Sequence, residues 1–412
     1  MNAPPVWVLI SQAAQAVLGR SALTPVSPYL LRPAVVLKRT EKLTPGASVP
    51  EKLIPKRHKG ILPIRATFVI CALLTLMGCA GADMGSDKDQ NAFCEGDFSV
   101  NSEIDLTEIS HCQIITGELT IELVPFNDLT GLLQLEQVGK LSLFENTHLT
   151  NLVGLGSLHT INGDLTIAYH NNLKSLQGLD ALKYIAGDIH IYENTGLTNI
   201  EGLSTLAQLN GGLYIYQNPN LERLGQFPNL SSVEDLHLAD LPALTTLDGL
   251  NAITEIHHRF ECDFNHQLTD FTGLHQLQTV GGDFIVNFNN NLASLNGLDA
   301  LGEIGGRFVI NNNGSLQSLH GQSVRTIHGR TEIRSNYQLK NLQGLEFLSS
   351  IGGDFWVLIN DQLESLTGID NLMQVAGGVH VMGNLVLGDI SALQAEVLGE
   401  VVVEDNPELN SF

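Results

Sequence analysis

Positive charge is scarce in this chain, and much of it is confined to one end. The 412 residues include 21 Lys and Arg against 44 Asp and Glu. Ten of the basic residues lie in residues 1–78, so residues 79–412 hold 11 basic and 42 acidic side chains, a formal net charge of −31. Such a surface repels nucleic-acid phosphates and anionic lipid, which attract Lys and Arg instead. We therefore expect no nucleic-acid partner, and cations or basic partners fit the charge.

The sequence also lacks the short motifs of common enzymes and cofactor sites. It contains no recognisable Ser-His-Asp pattern, no histidines at metal-ligand spacing and no glycine-rich phosphate loop. The 13 histidines after residue 79 are scattered over different parts of the chain. We therefore expect no metal site and no cofactor, and we expect that the protein is not an enzyme.

The uncharged apolar run at residues 66–78 is short for a membrane span, since it covers only 13 residues. A basic segment with Lys56, Arg57, Lys59 and Arg65 precedes it. A basic segment followed by a short apolar run has the form of a secretory signal. Residues 56–78 are therefore predicted to be a signal peptide, and the alternative is a signal anchor with an incidental cysteine.

The end of this segment, Leu76-Met-Gly-Cys79, resembles the lipobox of bacterial lipoproteins. The resemblance implies that Cys79 becomes the lipid-bearing first residue after cleavage. Acyl chains contribute about 0.8 kcal/mol per buried methylene, so they would hold the protein on a bilayer. Ala80 in place of aspartate favours the outer membrane. We expect a lipid-anchored protein of the bacterial cell envelope, at the outer membrane or cell surface.

Residues 1–55 do not fit this picture, because signal peptides seldom begin with a long proline-rich leader. We expect this segment to be disordered or absent from the mature protein, as a result of a start codon assigned upstream of the true one. Residues 79–91 are polar and are predicted to be a flexible tether.

The rest of the chain repeats about every 24 residues. A poorer first copy opens at Gly117, and ten of the twelve later starts are glycine. A repeat of this length is typical of a solenoid, because no single copy could bury its leucines alone. The twelve later starts are Gly139, Gly163, Gly187, Gly211, Glu234, His258, Gly282, Gly306, Gly329, Gly353, Gly377 and Gly399.

Each copy combines two apolar patterns. In the copy that starts at Gly163, Leu165 and Ile167 flank Thr166, the alternation of a short strand with one buried face. Leucines then follow at intervals of three up to Ile185, too short an interval for an amphipathic helix. We therefore predict an all-β solenoid of about 12 coils, a rod on the order of 55 Å long with strands about 4.8 Å apart.

Asparagine occupies one repeat position in ten of twelve copies. A side-chain amide has both a donor and an acceptor, so a buried row of amides can satisfy backbone groups where each strand ends. We predict a structural role for this row. Its members are Asn146, His170, Asn194, Asn218, Leu241, Asn265, Asn289, Asn313, Asn336, Asn360, Asn384 and Asn406.

Three cysteines follow Cys79. In an oxidising envelope Cys94 and Cys112 are the natural disulfide pair, closing a loop over the exposed first coil. Residues 92–116 are therefore predicted to be an N-terminal cap, and residues 117–412 the solenoid. Cys262 occupies an inward strand position and is interpreted as a small buried apolar residue, not a nucleophile.

Four segments near this cap form a specific pattern with the repeats that follow. They are Cys94-Glu-Gly96, Asp105-Leu-Thr-Glu-Ile109, Cys112-Gln-Ile-Ile115 and Gly117-Glu-Leu-Thr-Ile121, followed by repeats of the form Gly-Asp-Leu-x-Ile-x-x-Asn. Residues 92–412 resemble the receptor L domain family, which forms the outer ligand-binding lobes of insulin and epidermal growth factor receptors and occurs in bacterial surface proteins.

The resemblance implies a right-handed, single-stranded β-helix related to leucine-rich repeats, whose broad sheet face commonly meets ligands. This chain departs from the receptor lobes in running about twelve coils without a break. It also has neither the cysteine-rich module nor the kinase of those receptors, so the resemblance does not extend to receptor signalling.

The fourth and sixth residues of each copy are predicted to point outward, and they define two candidate binding patches. The first patch would place His190, Tyr192, Tyr214, Tyr216 and His237 side by side on consecutive coils. Aromatic side chains with polar tips favour interfaces, although aromatic pairs also form simply to stabilise a sheet. The second patch is formed by Trp356, Leu358 and Met382.

These features favour a surface protein that presents a rigid sheet to a protein or glycan partner. One alternative is a structural envelope or adhesion spacer without a discrete ligand. Another is a glycan-degrading enzyme that uses Glu261 and Asp263, near Arg259 and Arg334, because paired carboxylates can do acid-base work on sugars. We consider that pair more typical of solvated side chains on an exposed strand.

Overall fold

The computed structural model describes residues 92–409. The chain divides into two units, Met1–Gly81 and Ala82–Phe412, and all described residues belong to the second. The predicted leader (1–55), signal peptide (56–78) and tether (79–91), and with them Cys79, lie outside the described residues.

The described residues form an all-β parallel solenoid of about 13 turns of roughly 24 residues, which confirms the predicted fold class. The turn beyond the twelve predicted coils is the first one, formed by the copy that opens at Gly117. The single α-helix in this part of the chain, α1, is Glu103–Glu108, and three short 3-10 helices lie at Thr130–Leu132, Val153–Leu155 and Glu201–Leu203.

Strands of four residues, one per coil, form a long parallel ladder in which like positions pair. Leu165 pairs with Ile189, and Ile189 with Leu213. The first strands are β1 (Phe93–Cys94), β2 (Phe98–Val100), β3 (Ile114–Glu122) and β4 (Gln137–Phe144). The four-residue strands are β6 (Leu165–Ala168), β8 (Ile189–Tyr192), β10 (Leu213–Tyr216), β12 (Leu236–Ala239), β14 (Phe260–Asp263), β16 (Phe284–Asn287), β18 (Phe308–Asn311), β20 (Thr331–Arg334), β22 (Phe355–Leu358), β24 (Val379–Met382) and β26 (Val401–Glu404).

Strands of two residues form a second, short ladder. They are β5 (Thr160–Ile161), β7 (Tyr184–Ile185), β9 (Gln208–Leu209), β11 (Ser232–Val233), β13 (Glu255–Ile256), β15 (Thr279–Val280), β17 (Glu303–Ile304), β19 (Thr326–Ile327), β21 (Ser350–Ile351), β23 (Gln374–Val375) and β25 (Glu396–Val397). This ladder is continuous from the first halves of β3 and β4 to β9 and resumes at β11, so the strands divide into an 18-stranded and an 8-stranded sheet.

The leucines spaced by three fill the centre of the coils. Leu173, Leu176, Leu179 and Leu182 are each fully buried, as are the inward strand residues Leu165 and Ile167 of the same coil. Each coil therefore contributes apolar side chains to one continuous core, and neighbouring coils cover them on both sides.

The asparagine row has the predicted structural role. Asn289 accepts a hydrogen bond at Oδ1 from the backbone N–H of Asn265 (2.9 Å), and its Nδ2 donates to the carbonyl of Cys262 (2.8 Å). The same pattern recurs at Asn313, whose Nδ2 donates to Val286. The buried amides thus join each coil to the one before it, where the strand turns.

A left-handed residue precedes each member of this row, and the sequence pattern did not predict it. Eleven non-glycine residues that stand directly before the row have φ between 50° and 63°, among them Tyr169, Phe264 and Phe288. This backbone region costs roughly 1 kcal/mol or more for residues other than glycine. The hydrogen bonds of the asparagine row hold the turn in that conformation, and they place these side chains along the rim of the long ladder.

The N-terminal end of the solenoid is covered by the cap. Cys94 and Cys112 form the predicted disulfide, with Cα atoms 5.8 Å apart. Ser102 caps α1, because its Oγ accepts from the N–H of Asp105 and the Asp105 carboxylate accepts from the N–H of Ser102. Val100 of β2 is fully buried beneath this segment. Cys262 is buried and free, as predicted.

Candidate functional site

The centre of the first patch is two pairs of stacked rings on β8 and β10. His190 and Tyr214 are register partners with ring centroids 4.8 Å apart and planes 11° from parallel. Tyr192 and Tyr216 stack in the same way, at 4.9 Å and 4°. Parallel strands in register place like positions about 4.8 Å apart, close to the distance at which rings stack. The fold therefore assembles the predicted cluster.

Two further rings border these pairs. The ring centroid of His237 on β12 lies 6.2 Å from the ring centroids of both Tyr214 and Tyr216. Tyr169 meets Tyr192 edge to face at 5.5 Å, and it was not among the predicted residues. Its left-handed turn places the ring beside the outer face of the ladder. We refer to the six residues as the aromatic platform. Its members are Tyr169, His190, Tyr192, Tyr214, Tyr216 and His237.

The hydroxyl groups of Tyr214 and Tyr216 remain protonated at neutral pH. Burial, reinforced by the nearby Asp235 carboxylate, raises the pKa of Tyr214 to about 12. Its hydroxyl donates to Asp235 Oδ2 at 3.1 Å. Burial also raises the pKa of Tyr216 to about 12, with Tyr192 as the next cause. The rings therefore combine apolar area with neutral polar tips, as binding surfaces often do.

The row formed by the sixth residue of each copy changes from aromatic to small directly beside Tyr216. Its register partner on β12 is Ala239, whose methyl group is too small to continue the stack, and the next partner along is Asp263. Tyr216 and Asp263 therefore stand on strands about 9.6 Å apart, two strand spacings, with His237 beside the space between them. The aromatic platform ends at a gap one coil wide, with an acidic group on its far side.

Glu261 and Asp263 on β14 form that acidic side, and the prediction that they are solvated was wrong for Glu261. Its side chain is only 9% exposed. Arg259 Nη1 lies 3.1 Å from Glu261 Oε2, and His237 Nδ1 lies 3.9 Å from the same oxygen. The side chains of Arg259 and His237 thus cover this carboxylate.

Asp263 has an unusual protonation state. Burial, reinforced by the adjacent Glu261 carboxylate, raises its pKa to about 7, although its Oδ1 accepts from the N–H of Asn287 at 3.0 Å. Burial also lowers the pKa of His237. Near neutral pH the Asp263 carboxyl group is therefore about half protonated, and the border of the platform changes charge in that range.

Other outward positions are also more covered than the strand alternation predicts. Ile285 is 8% exposed, Val309 6% and Glu332 7%. Arginines at the second residue of a copy pair with outward acids here, as Arg330 does with Glu332 (2.9 Å). Arg334 stands on β20, three strands from Glu261, so the predicted closeness of these two residues is wrong.

The second predicted patch is also brought together. The Trp356 ring meets His380 edge to face at 5.6 Å, and the guanidinium of Arg330 lies over it at 4.1 Å. Leu358 and Met382 are register partners on β22 and β24. Arg330 covers one face of the tryptophan, so this patch offers less free aromatic area than the aromatic platform.

The first coils of the solenoid are similar in sequence to a known protein family. Residues 111–198 match the receptor L domain. The receptor L match includes His190 and Tyr192, and the remaining coils extend the same geometry beyond it. A receptor L match within a β-solenoid points to a ligand-binding surface domain. No curated protein matches the chain.

Two other features of residues 92–409 resemble ligand sites. Cys94, His111 and Cys112 lie close enough to ligate a metal ion, but both sulfurs are used in the disulfide. A shallow polar groove lies where the short ladder breaks, lined in part by Asn210 and His257. Within these residues, no helix has the length and apolar character needed to cross a bilayer.

Proposed function

We propose that this protein is a lipid-anchored component of the bacterial cell envelope that binds a protein or glycan partner on the long ladder. The observation that carries the proposal is the aromatic platform, in which Tyr192 stacks on Tyr216 and His190 on Tyr214. Stacked rings held by a rigid sheet bind with little loss of side-chain entropy.

The gap over Ala239 adds a position where a ligand ring or side chain could contact Tyr216. On one side lies the tyrosine ring, and on the other lies the partly protonated Asp263, which can donate or accept a hydrogen bond. Aromatic faces combined with such polar groups suit sugars and also basic or polar side chains. The net charge of −31 for residues 79–412 disfavours acidic partners.

We propose that Glu261 and Asp263 serve binding and not glycan hydrolysis. Glycosidases use a pair of carboxyl groups in which one donates a proton to the leaving group while the other acts as base or nucleophile. Glu261 is nearly buried and paired with Arg259, so its carboxylate is held away from an incoming substrate. Release of reducing sugar from envelope glycans, lost in a Glu261→Ala, Asp263→Ala double variant, would contradict this assignment.

The platform is tested with two variants, one that removes its tyrosine rings and one that fills the gap over Ala239. Replacing Tyr192, Tyr214 and Tyr216 with Ser should weaken capture of the partner about tenfold or more in glycan-array and envelope pull-down assays. Ala239→Phe should have a similar effect if the ligand enters the gap, and it removes no native side chain. Tyr184→Ser, on the short ladder, is the matched control.

Unchanged partners in both platform variants would favour the structural spacer over a binding protein. The membrane anchor is tested separately, because Cys79 lies outside the described residues. Incorporation of labelled palmitate by cells that express the full chain, and its loss in Cys79→Ala, would support lipid attachment. Labelling that persists in the variant would overturn it.

A further inference from the structure

The last coil among residues 92–409 leaves core positions uncovered. In eleven preceding coils the third residue, from Leu141 to Val379, is at most 1% exposed. The equivalent residue of the last coil, Val401, is 42% exposed, and the neighbouring Leu398 is 59% exposed. Val403, the inward partner of the buried Val381, is only partly buried. We call this surface, β25 and β26 with the turns beside them, the open end.

The open end also presents an unpaired strand edge. Among residues 92–409, β26 pairs only with β24. The N–H groups of Val379 and Gly383 donate to the carbonyls of Glu400 and Glu404, at 2.8 and 3.3 Å. By the same alternation, the N–H groups of Val401, Val403 and Asp405 face away from β24, where the next coil would lie.

The asparagine row ends at the same place. The N–H of Asn384 donates to Oδ1 of Asn406 at 3.0 Å, and each asparagine before it on the later coils is held in the same way by its successor. Among the described residues, no further amide receives the N–H of Asn406. A strand that added to β26 would therefore continue both the ladder and the turn.

The charge of this region selects the kind of strand that fits. Residues 341–412 contain eleven Asp and Glu and no Lys or Arg. Five of the acidic residues lie in or beside the last coil, namely Glu396, Glu400, Glu404, Asp405 and Glu408. Two copies of this surface would repel each other, whereas a strand that carries Lys or Arg would be attracted.

We propose that the open end binds an extended, basic segment of another protein, which adds to β26 as a further strand. Main-chain hydrogen bonds to the edge would supply affinity, apolar side chains would cover Val401 and Val403, and basic side chains would pair with the surrounding carboxylates. This interaction is independent of the aromatic platform.

The probe is a short synthetic peptide in which Lys alternates with Val, labelled for fluorescence anisotropy and titrated into the full chain. Val403→Pro removes an N–H that faces the open side and spares the hydrogen bonds to β24, and proline is tolerated on strand edges in this orientation. Val403→Thr keeps the N–H and is the matched control. An otherwise identical peptide with Glu in place of Lys tests the charge requirement.

The expected result is that wild type and Val403→Thr bind the Lys peptide, while Val403→Pro binds it about tenfold or more weakly. The Glu peptide should not bind. A second variant, Glu400→Lys with Glu404→Lys, leaves the strand intact and should also weaken binding of the Lys peptide. It keeps the proposal testable if the proline variant does not fold, which circular dichroism reports.

Three outcomes would overturn the proposal. Equal binding of the Lys peptide to wild type and to folded Val403→Pro would place it elsewhere on the acidic surface. Failure of wild type to bind the peptide at low ionic strength would show that the edge does not accept a strand. A dimer in sedimentation velocity that Val403→Pro dissociates would identify a second copy of the chain as the occupant.

Discussion

The two ends of the solenoid differ in how their last strands are covered. At the N-terminal end, Val100 is fully buried beneath the segment that the Cys94–Cys112 disulfide closes. At the C-terminal end, the equivalent residue Val403 is only partly buried, and Val401, two residues before it, is 42% exposed. In a stack of coils, burial comes from the next coil or from a cap that replaces it. The contribution of a residue to stability therefore depends on its coil as much as on its type.

The largest contrast is expected within the asparagine row. Asn289→Ala would leave the N–H of Asn265 buried without its partner and would remove a bond to the carbonyl of Cys262, a loss of about 3 kcal/mol. Asn406→Ala removes similar bonds where water can replace them, and it should cost less than about 1 kcal/mol. Urea denaturation of the two variants measures the difference, and equal losses would contradict the comparison.

The disulfide provides the next test, because it can turn the covered end into an open one. Replacing Cys94 and Cys112 with Ser should lower stability by about 3 kcal/mol, from the entropy of the loop it closes. Hydrogen exchange should then rise in residues 92–122 towards the rate of residues 396–409. The coils around Phe284 are the internal control and should keep slow exchange. Unchanged exchange at the N-terminal end would show that the disulfide is not what protects it.

A smaller effect is expected for a pair of valines that occupy one row. Val379→Ala removes a fully buried side chain and should cost about 2 kcal/mol. Val401→Ala makes the same chemical change one coil later, at a position already 42% exposed, and should cost less than about 1 kcal/mol. Thermal denaturation compares them directly. If binding of a basic strand covers Val401, the loss of stability caused by Val401→Ala should increase in the presence of the Lys-Val peptide.

The rows of equivalent residues in the solenoid could be predicted from the sequence, because the repeat length determines which residues lie side by side. Once copies are aligned every 24 residues, Tyr192 must stand beside Tyr216, and Asn265 beside Asn289, whatever the side chains do. The pairing of Cys94 with Cys112 could be predicted equally well, since only one other cysteine, Cys262, follows the proposed lipidation site at Cys79. These predictions depend on periodicity and not on the details of packing.

Other features depend on side-chain conformation and could not be predicted. Alternation indicates that Glu261 points outward, but its burial depends on where Arg259 and His237 place their long or bulky groups. Tyr169 joins the platform through a left-handed backbone, which residues other than glycine adopt only when neighbouring bonds enforce it. The twelve residues with φ between 50° and 63° all stand at the seventh residue of a copy, but nothing in their identity marks them.

The smallest expected effect concerns one carboxylate in the middle of the long ladder and another at its open end. The pKa of Asp263 is raised to about 7, so the folded state retains a proton that the unfolded chain loses near pH 3.8. Stability should therefore fall as the pH rises from about 4 to 7 and level off above about 8, with about 1 kcal/mol of the loss between pH 6 and 8. Asp263→Asn should remove this dependence, whereas Glu404→Gln, an exposed change in the same row, should leave it in place. His170 acts in a lower range, because burial lowers its pKa to about 4. Urea denaturation at several pH values measures the slope, and the same slope in wild type and Asp263→Asn would show that this carboxyl group is not its source.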